Sequence, residues 1–244
     1  MTASAPTLAD GARAFLDGAR LVRRPGLRRY VWAPAGLSLV VISAGLYFAF
    51  GYVDALGAWL RDTLPDWLSF LSAVLVPLVY VLGVLVAGWL FALVAVLVAS
   101  PFLGDLSLAV ERADGGSAPP DGLPWWVGIP GALAREGRKL AYHLPRLLGV
   151  LLLTLIPLLN TVAPLIWFAL GAWLVAVEFC DFPAENRRQP FADTLALLKR
   201  HRAAALGYGA ITTAALAIPL VNFLFVPAAV AGGTLLWRRL QPPG

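Results

Sequence analysis

Four long stretches of this chain contain no charged residue and no histidine, and they limit its fold more than any other feature. They span residues 30–53, 67–104, 147–177 and 203–237. An uncharged apolar run of about 18 residues or more is long enough to be a membrane-spanning helix. Only 14% of all residues are charged, against roughly 25% in soluble domains. The sequence therefore predicts an all-α integral membrane protein.

The charged residues between the apolar runs are unevenly distributed. Residues 1–29 contain six arginines, and the segments 105–146 and 178–202 contain five basic residues each. The segment 54–66 instead has three aspartates and one arginine. Because basic segments stay on the cytoplasmic side of a membrane, both termini are predicted to be cytoplasmic. The acidic segment 54–66 is then predicted to lie outside.

This topology gives a single membrane domain over residues 1–244 with two kinds of membrane element. Residues 26–53 and 67–110 are predicted to be long transmembrane helices. Residues 147–177 and 203–237 begin and end on the same side, so each is predicted to be a helical hairpin. Arms of roughly 13–15 residues are about 20–22 Å long, which is short of a hydrocarbon core of about 30 Å. The hairpins should therefore penetrate the membrane only partly, as hemi-membrane or re-entrant elements.

The two predicted hairpins share a turn sequence at their centres. Ile-Pro-Leu-x-Asn occurs at 156–160 and again at 218–222, which indicates an internal repeat. Proline interrupts helical hydrogen bonding, and asparagine is suited to turns. Irregular backbone at membrane depth needs surrounding protein or a water-filled cavity. Asn160 and Asn222 are therefore candidate pore residues.

Two polar segments are predicted to form amphipathic helices at the membrane surface. One covers residues 1–24, and the other is the basic stretch after Pro130. The apolar face predicted for the first helix consists of Leu8, Ala12, Phe15, Ala19 and Val22. Glu111 and Arg112 follow the second long span, where they could gate a path or pair with a neighbouring helix. The alternative is a surface pair at a helix end. Asp181 is predicted to cap or order the loop after the third run.

The sequence contains no constellation for catalysis, so an enzyme is not expected and no cofactor or metal is predicted. His143 and His201 each lie in a basic stretch, without ligand spacing to another histidine or cysteine, and are read as solvated surface residues. Cys180 is the single cysteine and is read as an ordinary packed thiol, so a disulfide within the chain is excluded. Basic residues flank apolar runs, which favours membrane anchoring over nucleic acid as a partner. The absence of ionisable groups inside the runs favours a passive path over a proton-driven pump.

The segment RRPGLRRYVWAP, residues 23–34, concentrates positive charge at the mouth of the first apolar run. Pro25 suits the first position of a helix, which would leave the amides from Gly26 to Arg28 or Arg29 unpaired at the positive end of the helix dipole. Gly26, Leu27, Arg28 and Arg29 could together bind a tetrahedral oxyanion. The same arginines could instead anchor the chain to lipid phosphates.

Several segments of the chain resemble the CysZ sulfate permeases of bacteria, within the wider family of etoposide-induced membrane proteins. The resemblance runs from about Phe15 to Arg238. It is carried by LVRRPGLRRYVWAP (21–34), LPDWLSFLS (64–72), SPFLGDLSLAVE (100–111), HLPRLLGVLLLTLIP (143–157), TVAPLIWFALGAWLVAVEFCDFPAENRRQPF (161–191) and IPLVNFLFVPAAVAGGTLLW (218–237). The block from Cys180 to Phe191 is its most distinctive part.

The resemblance implies a sulfate transporter or channel in the bacterial inner membrane that feeds sulfate assimilation and cysteine biosynthesis. It also implies two long spans with two partly penetrating hairpins, a homo-oligomer in the lipid bilayer, and sulfate binding at Gly26–Arg29. Related oxyanions such as sulfite are further candidate substrates. The chain departs from the family at Leu158-Leu159-Asn160, where a glycine-rich apex is common. The alternative is a membrane-shaping or scaffold protein whose arginines bind anionic lipids.

Overall fold

A computed structural model describes residues 5–63, 69–116 and 125–241. Every regular element in these residues is a helix, which confirms the all-α class. The helices are α1 (Leu8–Leu21), α2 (Pro25–Thr63), α3 (Ser69–Ala113), α4 (Trp125–Thr154), α5 (Pro157–Asn160), α6 (Ala163–Asn186), α7 (Phe191–Arg200), α8 (Arg202–Leu216) and α9 (Pro219–Leu240).

Prolines mark the starts of several helices, as their missing amide hydrogen favours the first turn. The two repeated Ile-Pro steps have nearly the same backbone conformation, with φ −84° and ψ 113° at Ile156 and φ −89° and ψ 104° at Ile218. The chain thus leaves the helix at the two positions where the sequence repeat placed turns. The two turns then differ. The first has a second break at Thr161 and Val162, whereas α9 continues through Pro227.

The chain forms two compact units, of which the first combines residues 1–31 with 103–244. Its core lies where α1, α6, α8 and α9 meet. Glycine permits these helices to approach closely: a Cβ added at Gly207 would lie 2.0 Å from the Leu8 carbonyl oxygen, and one at Gly209 would lie 1.8 Å from that of Ala172. Backbone-to-backbone packing of this kind is typical of helices in membranes.

The face of α1 that packs against this core differs from the predicted one. Its centre consists of Gly11, Ala14 and Gly18, with Phe15 and Leu21 beside them, and all five are buried. Leu8, by contrast, is 58% exposed. The reason is that glycine contributes nothing to an apolar pattern, yet it allows the closest helix contacts. The helix therefore turns its small residues inward.

The second unit covers residues 32–102 and consists of the remaining parts of α2 and α3. Val53 lies against Gly83, and Gly57 lies beside Tyr80. Because a later residue of α2 meets an earlier residue of α3, the two helices run antiparallel. The Tyr80 hydroxyl donates a hydrogen bond to Asp54. Most of the described apolar side chains on this part of α2 are exposed, among them Leu39, Val40 and Phe48.

The polarity of α4 is inverted relative to a helix on a water-soluble protein. Leu133 and Leu140 are 67% and 65% exposed, while Arg135 and Lys139 on the opposite face are 7% and 3% exposed. Exposed leucines continue along the helix to Leu153. Such a face is suited to lipid hydrocarbon, or to another subunit, rather than to water.

Among the described helices, α6 is the one that is both long and apolar enough to cross a membrane. Its 24 residues are about 36 Å long at 1.5 Å per residue. Within α3, the apolar stretch among the described residues, Ala73–Gly88, is shorter. Two full spans in α2 and α3 therefore stay a prediction from the sequence.

Candidate functional site: the arginine cluster and the polar contacts of α3 and α6

The arginine cluster lies at the start of α2, as the sequence predicted, but its backbone amides are mostly used. The amides of Leu27 and Arg28 donate to the Arg24 carbonyl oxygen at 3.0 and 3.2 Å. The expectation of a run of unpaired amides from Gly26 onwards is therefore wrong for these two residues. The physical reason is that the α1–α2 connection is tight enough for Arg24 to act as the first acceptor of the helix.

The side chains at this position are arranged for contact with solvent. Leu27 is only 4% exposed and fixes the start of α2 to the core, whereas Arg28 and Arg29 are exposed. Arg28 Nε donates to the Arg23 carbonyl oxygen at 2.8 Å, and the Arg29 guanidinium lies 4.9 Å from the centre of the Tyr30 ring. Both guanidinium groups are thus held near the protein while remaining accessible.

Gly26 gives this cluster an open approach. A Cβ at this position would have no atom within 4 Å, so nothing in the described residues covers its backbone. Two guanidinium groups, those of Arg28 and Arg29, thus lie beside an uncovered backbone at the start of a 39-residue helix. Guanidinium forks and a helix dipole both favour a tetrahedral oxyanion at this position.

Glu111 is not the surface residue that one reading of the sequence predicted. It is fully buried in the last turns of α3, and its Oε2 accepts a hydrogen bond from Arg187. Arg187 also lies over the Trp237 ring, at 5.1 Å. Glu111 Oε1 is buried and has no hydrogen-bond partner. Arg112, its neighbour in sequence, is exposed.

Further polar contacts follow the same face of α3. The Asn186 amide donates to the Gly104 carbonyl oxygen at 3.1 Å, and the Ser107 and Thr234 hydroxyls are 2.9 Å apart. Buried polar groups need such partners, since an unsatisfied one costs about 1–3 kcal/mol. These contacts fix the end of α3 against α6 and α9.

Asp181 lies inside α6 and joins three helices, so it does not cap the loop that follows. It does order that loop, as the alternative prediction had it, because its partner Arg135 also donates to the Gln189 carbonyl oxygen at 2.6 Å. It is fully buried and receives two hydrogen bonds from Arg135 of α4, at 2.7 and 2.6 Å. The Thr194 hydroxyl of α7 donates to it at 2.9 Å. Lys139 Nζ lies 3.4 Å from its second oxygen. The carboxylate therefore compensates two buried cations.

Lys139 and His143 of α4 are both affected by burial, but nearby carboxylates compensate the charge of Lys139. Burial acts to lower the pKa of Lys139, but the carboxylates of Glu178, Glu136 and Asp181 outweigh it, so that its pKa is raised. Burial also lowers the pKa of His143, whose Nε2 is buried without a partner. His143 is therefore half-buried, and only part of its ring is solvated as the sequence predicted.

The remaining predicted positions lie elsewhere. Asn160 is exposed at the end of α5, at the first turn of the repeat. Asn222 belongs to α9, and its side chain lies outside the described part. Among the described residues, no hydrogen bond joins Asn160 to the arginine cluster or to Glu111. Nor do three or more His, Cys, Asp or Glu side chains gather there in a way that could hold a metal ion.

Comparison with known proteins places these residues in a family. A family profile described as sulfate transporter CysZ/etoposide-induced protein 2.4 matches residues 14–227. The chain belongs to this family. A sulfate transporter CysZ of Pseudomonas syringae pv. tomato is 39% identical over 238 residues, covering 96% of this chain and 94% of the relative. Those of Pseudomonas aeruginosa and Salmonella typhimurium are 40% and 36% identical, over 94% and 93% of this chain and 95% and 91% of the relatives.

The match to the CysZ family includes every candidate residue, from Gly26 to Asn222. The sequence reading missed the group formed by Arg135, Lys139 and Asp181, although a signal for it exists. Arg135 and Lys139 are four residues apart, so they share one face of a helix, and leucines occupy the other face. An amphipathic helix at the membrane surface has the same pattern, and only the structure shows that this cationic face is buried against Asp181.

Proposed function

We propose that this protein transports sulfate across the bacterial inner membrane and so supplies sulfate assimilation and cysteine biosynthesis. The observation that carries the proposal is the exposed pair Arg28 and Arg29 beside the uncovered Gly26. It is supported by relatives that match this chain over nearly their full length and are named sulfate transporters. A doubly charged ion cannot cross hydrocarbon without a polar, protein-lined path. Arginine forks at the mouth of that path would attract it and replace part of its hydration.

The proposed sulfate site consists of Gly26, Leu27, Arg28 and Arg29. Leu27 contributes its position rather than its side chain, since the side chain is buried in the core. Arg28 and Arg29 provide the charge, and Gly26 provides room for close approach. Related oxyanions such as sulfite present similar oxygens and are proposed as further substrates.

Glu111, Arg112, Asn160 and Asn222 are kept as proposed pore or gate residues. For Glu111 the support is its burial together with a carboxylate oxygen that has no partner. Its other carboxylate oxygen is paired with Arg187, and buried charged residues of membrane proteins commonly serve an ion path. For the two asparagines the support is their place in the repeated turn sequence.

The proposed architecture has two long spans, α2 and α3, and two partly penetrating hairpins, with both termini in the cytoplasm. For the first hairpin, the support is the pairing of Arg135 and Lys139 with Asp181. This contact brings the base of α4 and the end of α6 to the same level. Residues 140–180 must then leave that level and return to it. For the second hairpin, α1 packs against both the start of α8 and the end of α9.

We further propose that the protein works as a homo-oligomer. A subunit of 26.0 kDa with two short hairpins offers little polar surface from which to line a continuous path. The leucine face of α4 is left uncovered by the rest of the described chain. Cross-linking in native membranes should give species larger than the monomer, and monomer alone would contradict this proposal.

The transport proposal is tested by sulfate flux into liposomes that contain the purified protein. We expect radiolabelled sulfate uptake by the wild type and a loss of about tenfold or more in Arg28→Ala/Arg29→Ala, because charge-assisted hydrogen bonds to a dianion are lost. Arg200→Ala/Arg202→Ala is a matched control. Both arginines are exposed, and Arg202 Nε also bonds a nearby carbonyl oxygen. Its flux should equal that of the wild type.

The second candidate function is a membrane-shaping or scaffold protein, and the inverted α4 helix gives it some support. In that case positive charge alone matters at the start of α2, so Arg28→Lys/Arg29→Lys should behave as the wild type. An oxyanion site should lose affinity, because lysine has no bidentate fork. Absence of sulfate flux in intact wild-type protein would favour the scaffold function.

A further inference from the structure

A cavity of about 410 Å³ lies in the first unit, where the end of α1 and the α1–α2 connection meet the ends of α3 and α9. Its polar lining comes from Arg20, Arg24, Arg239, Asp17 and Asp114. Leu21 and Leu235 form an apolar wall. A volume of this size falls within the range of small-ligand sites.

The cavity has a positive balance of charge. Three arginines from three different chain segments line it, against two carboxylates. Asp17 is engaged by Arg239 at 2.7 Å and by Arg20 at 3.6 Å. Arg24 forms none of the ion pairs found among the described residues. Asp114 is paired with Arg238, so its charge is also compensated.

A neighbouring cavity shows that this imbalance is not general on this surface. It has about 390 Å³ and shares Asp17 and Arg239 with the first. Its other charged residues are Asp10 and Arg13, so its charges cancel. The two cavities are similar in size and both contact the Asp17–Arg239 ion pair. They differ in net charge, because Arg20 and Arg24 outweigh Asp114 in the first, whereas Asp10 and Arg13 cancel in the second.

We propose that the positive cavity is a second oxyanion subsite, which holds a tetrahedral dianion or monoanion next to the arginine cluster of α2. The inference rests on the proposed function in that it adds a binding step beside the Gly26–Arg29 site. Arg24, which lines the cavity, precedes Gly26 by two residues, so the two sites are adjacent in the chain. A sulfate ion and the phosphodiester of a lipid headgroup share the required chemistry.

The exposure of the arginines supports this assignment. The Arg20 and Arg239 side chains are 78% and 46% exposed, so an anion can reach both from solvent. Leu21 and Leu235, which are buried, form the floor between them. Guanidinium groups from several directions match the tetrahedral distribution of oxygens on sulfate or a phosphodiester. Asp17 competes with the anion for Arg20 and Arg239, which predicts a distinctive effect of its removal.

The test is sulfate titration by calorimetry on the full-length protein, in the Arg28→Ala/Arg29→Ala background to remove the first site. We expect residual binding that Arg20→Gln weakens about tenfold, the effect of one charge-assisted hydrogen bond. Arg13→Gln is the matched control. Arg13 carries the same charge on the same helix as Arg20, and it forms a similar ion pair with an aspartate, at 3.7 Å rather than 3.6 Å. Unlike Arg20, it lines the neutral cavity. The Arg13→Gln change should therefore alter the residual sulfate binding by less than about twofold.

Asp17→Asn provides a variant with the opposite sign. Freeing Arg20 and Arg239 should tighten residual sulfate binding by about threefold to tenfold. To identify a lipid source, native mass spectrometry compares protein from vesicles of phosphatidylcholine alone with protein from vesicles containing phosphatidylglycerol. Retention of phosphatidylglycerol that depends on Arg20 but not on Arg13 assigns the cavity to a headgroup.

The outcomes separate the two proposals. If Arg28→Ala/Arg29→Ala abolishes all sulfate binding and no lipid is retained, the cavity is not a subsite, while the transport proposal stands on its own flux measurement. Equal effects of Arg20→Gln and Arg13→Gln also overturn the cavity proposal. Arg20-dependent binding without any flux in the wild type supports the cavity and contradicts transport.

Discussion

At the scale of single residues, the charged side chains of this protein occupy two different environments, the exposed start of α2 and the buried contacts between helices. Arg28 and Arg29 are exposed at the start of a helix, as predicted. Glu111 and Asp181 are instead fully buried, where an unpaired carboxylate would be costly. Their partners are 76 and 46 residues away in the chain. No local pattern could select them, because pairing at this distance depends on how the helices pack.

Asp181 yields a sharp prediction because it compensates two buried cations. Asp181→Asn keeps the shape but leaves Arg135 and Lys139 without their shared carboxylate. Removing one partner of a buried ion pair costs about 3–5 kcal/mol. We therefore expect a large loss of thermal stability in detergent, measured by an unfolding scan.

Two companion variants make this prediction specific. Glu136→Gln removes another partner of Lys139, but Glu136 is half exposed, so the loss should be under about 1 kcal/mol. Combining Asp181→Asn with Arg135→Gln should cost less than the sum of the single changes, since the second change removes the cation left unpaired by the first. Additive losses would show that Asp181 does not act through Arg135.

At the scale of helices, composition and spacing predicted the breaks but not the faces. Proline after Ile156 and Ile218 interrupts the helix wherever the rest of the chain lies, so these positions could be read from the sequence. The packing face of α1 could not, because it depends on glycines that meet α8 and α9. Hydrophobic patterns identify large apolar side chains, whereas close helix packing selects small ones.

Gly207 tests this packing. An added Cβ would lie 2.0 Å from the Leu8 carbonyl oxygen, so Gly207→Ala must separate α8 from α1. Overpacking of this kind typically costs about 1–3 kcal/mol. We expect a lower unfolding temperature and faster proteolysis of α1 in detergent.

Gly149→Ala in α4 is the matched control for Gly207→Ala. A Cβ there would meet nothing within 4 Å, and replacing a helical glycine by alanine stabilises by about 0.5–1 kcal/mol. The two changes should therefore shift stability in opposite directions. A Gly207→Ala protein as stable as the wild type would contradict the close contact of α1 and α8.

At the scale of the whole molecule, a hairpin has both of its ends on one side of the membrane, whereas a membrane-spanning helix has them on opposite sides. If residues 147–177 form a hairpin, positions 138 and 200 are on one side of the membrane and position 62 is on the other. All three are exposed in the structure. Single cysteines at these positions, in a Cys180→Ser background, can be labelled with a membrane-impermeant maleimide in sealed vesicles.

We expect positions 138 and 200 to be labelled to the same extent from the same side, and position 62 from the opposite side. This relation holds even if subunits insert in both orientations, because 138 and 200 then share one fraction and 62 has the complement. Labelling of 138 and 200 from opposite sides would mean that α6 crosses the membrane. The hairpin proposal would then be wrong.

By itself the sequence determined the helical class, the helix breaks and the position of the basic cluster. Each depends on properties of neighbouring residues: run length, missing amide hydrogens and local charge. The tertiary structure alone decided which carboxylate meets which cation and where the positive cavity forms. Asp17 and Arg239 are 222 residues apart, and Arg135 and Asp181 lie on different helices. Such contacts depend on how the helices pack, which includes close approaches at glycines, and this packing cannot be read from neighbouring residues.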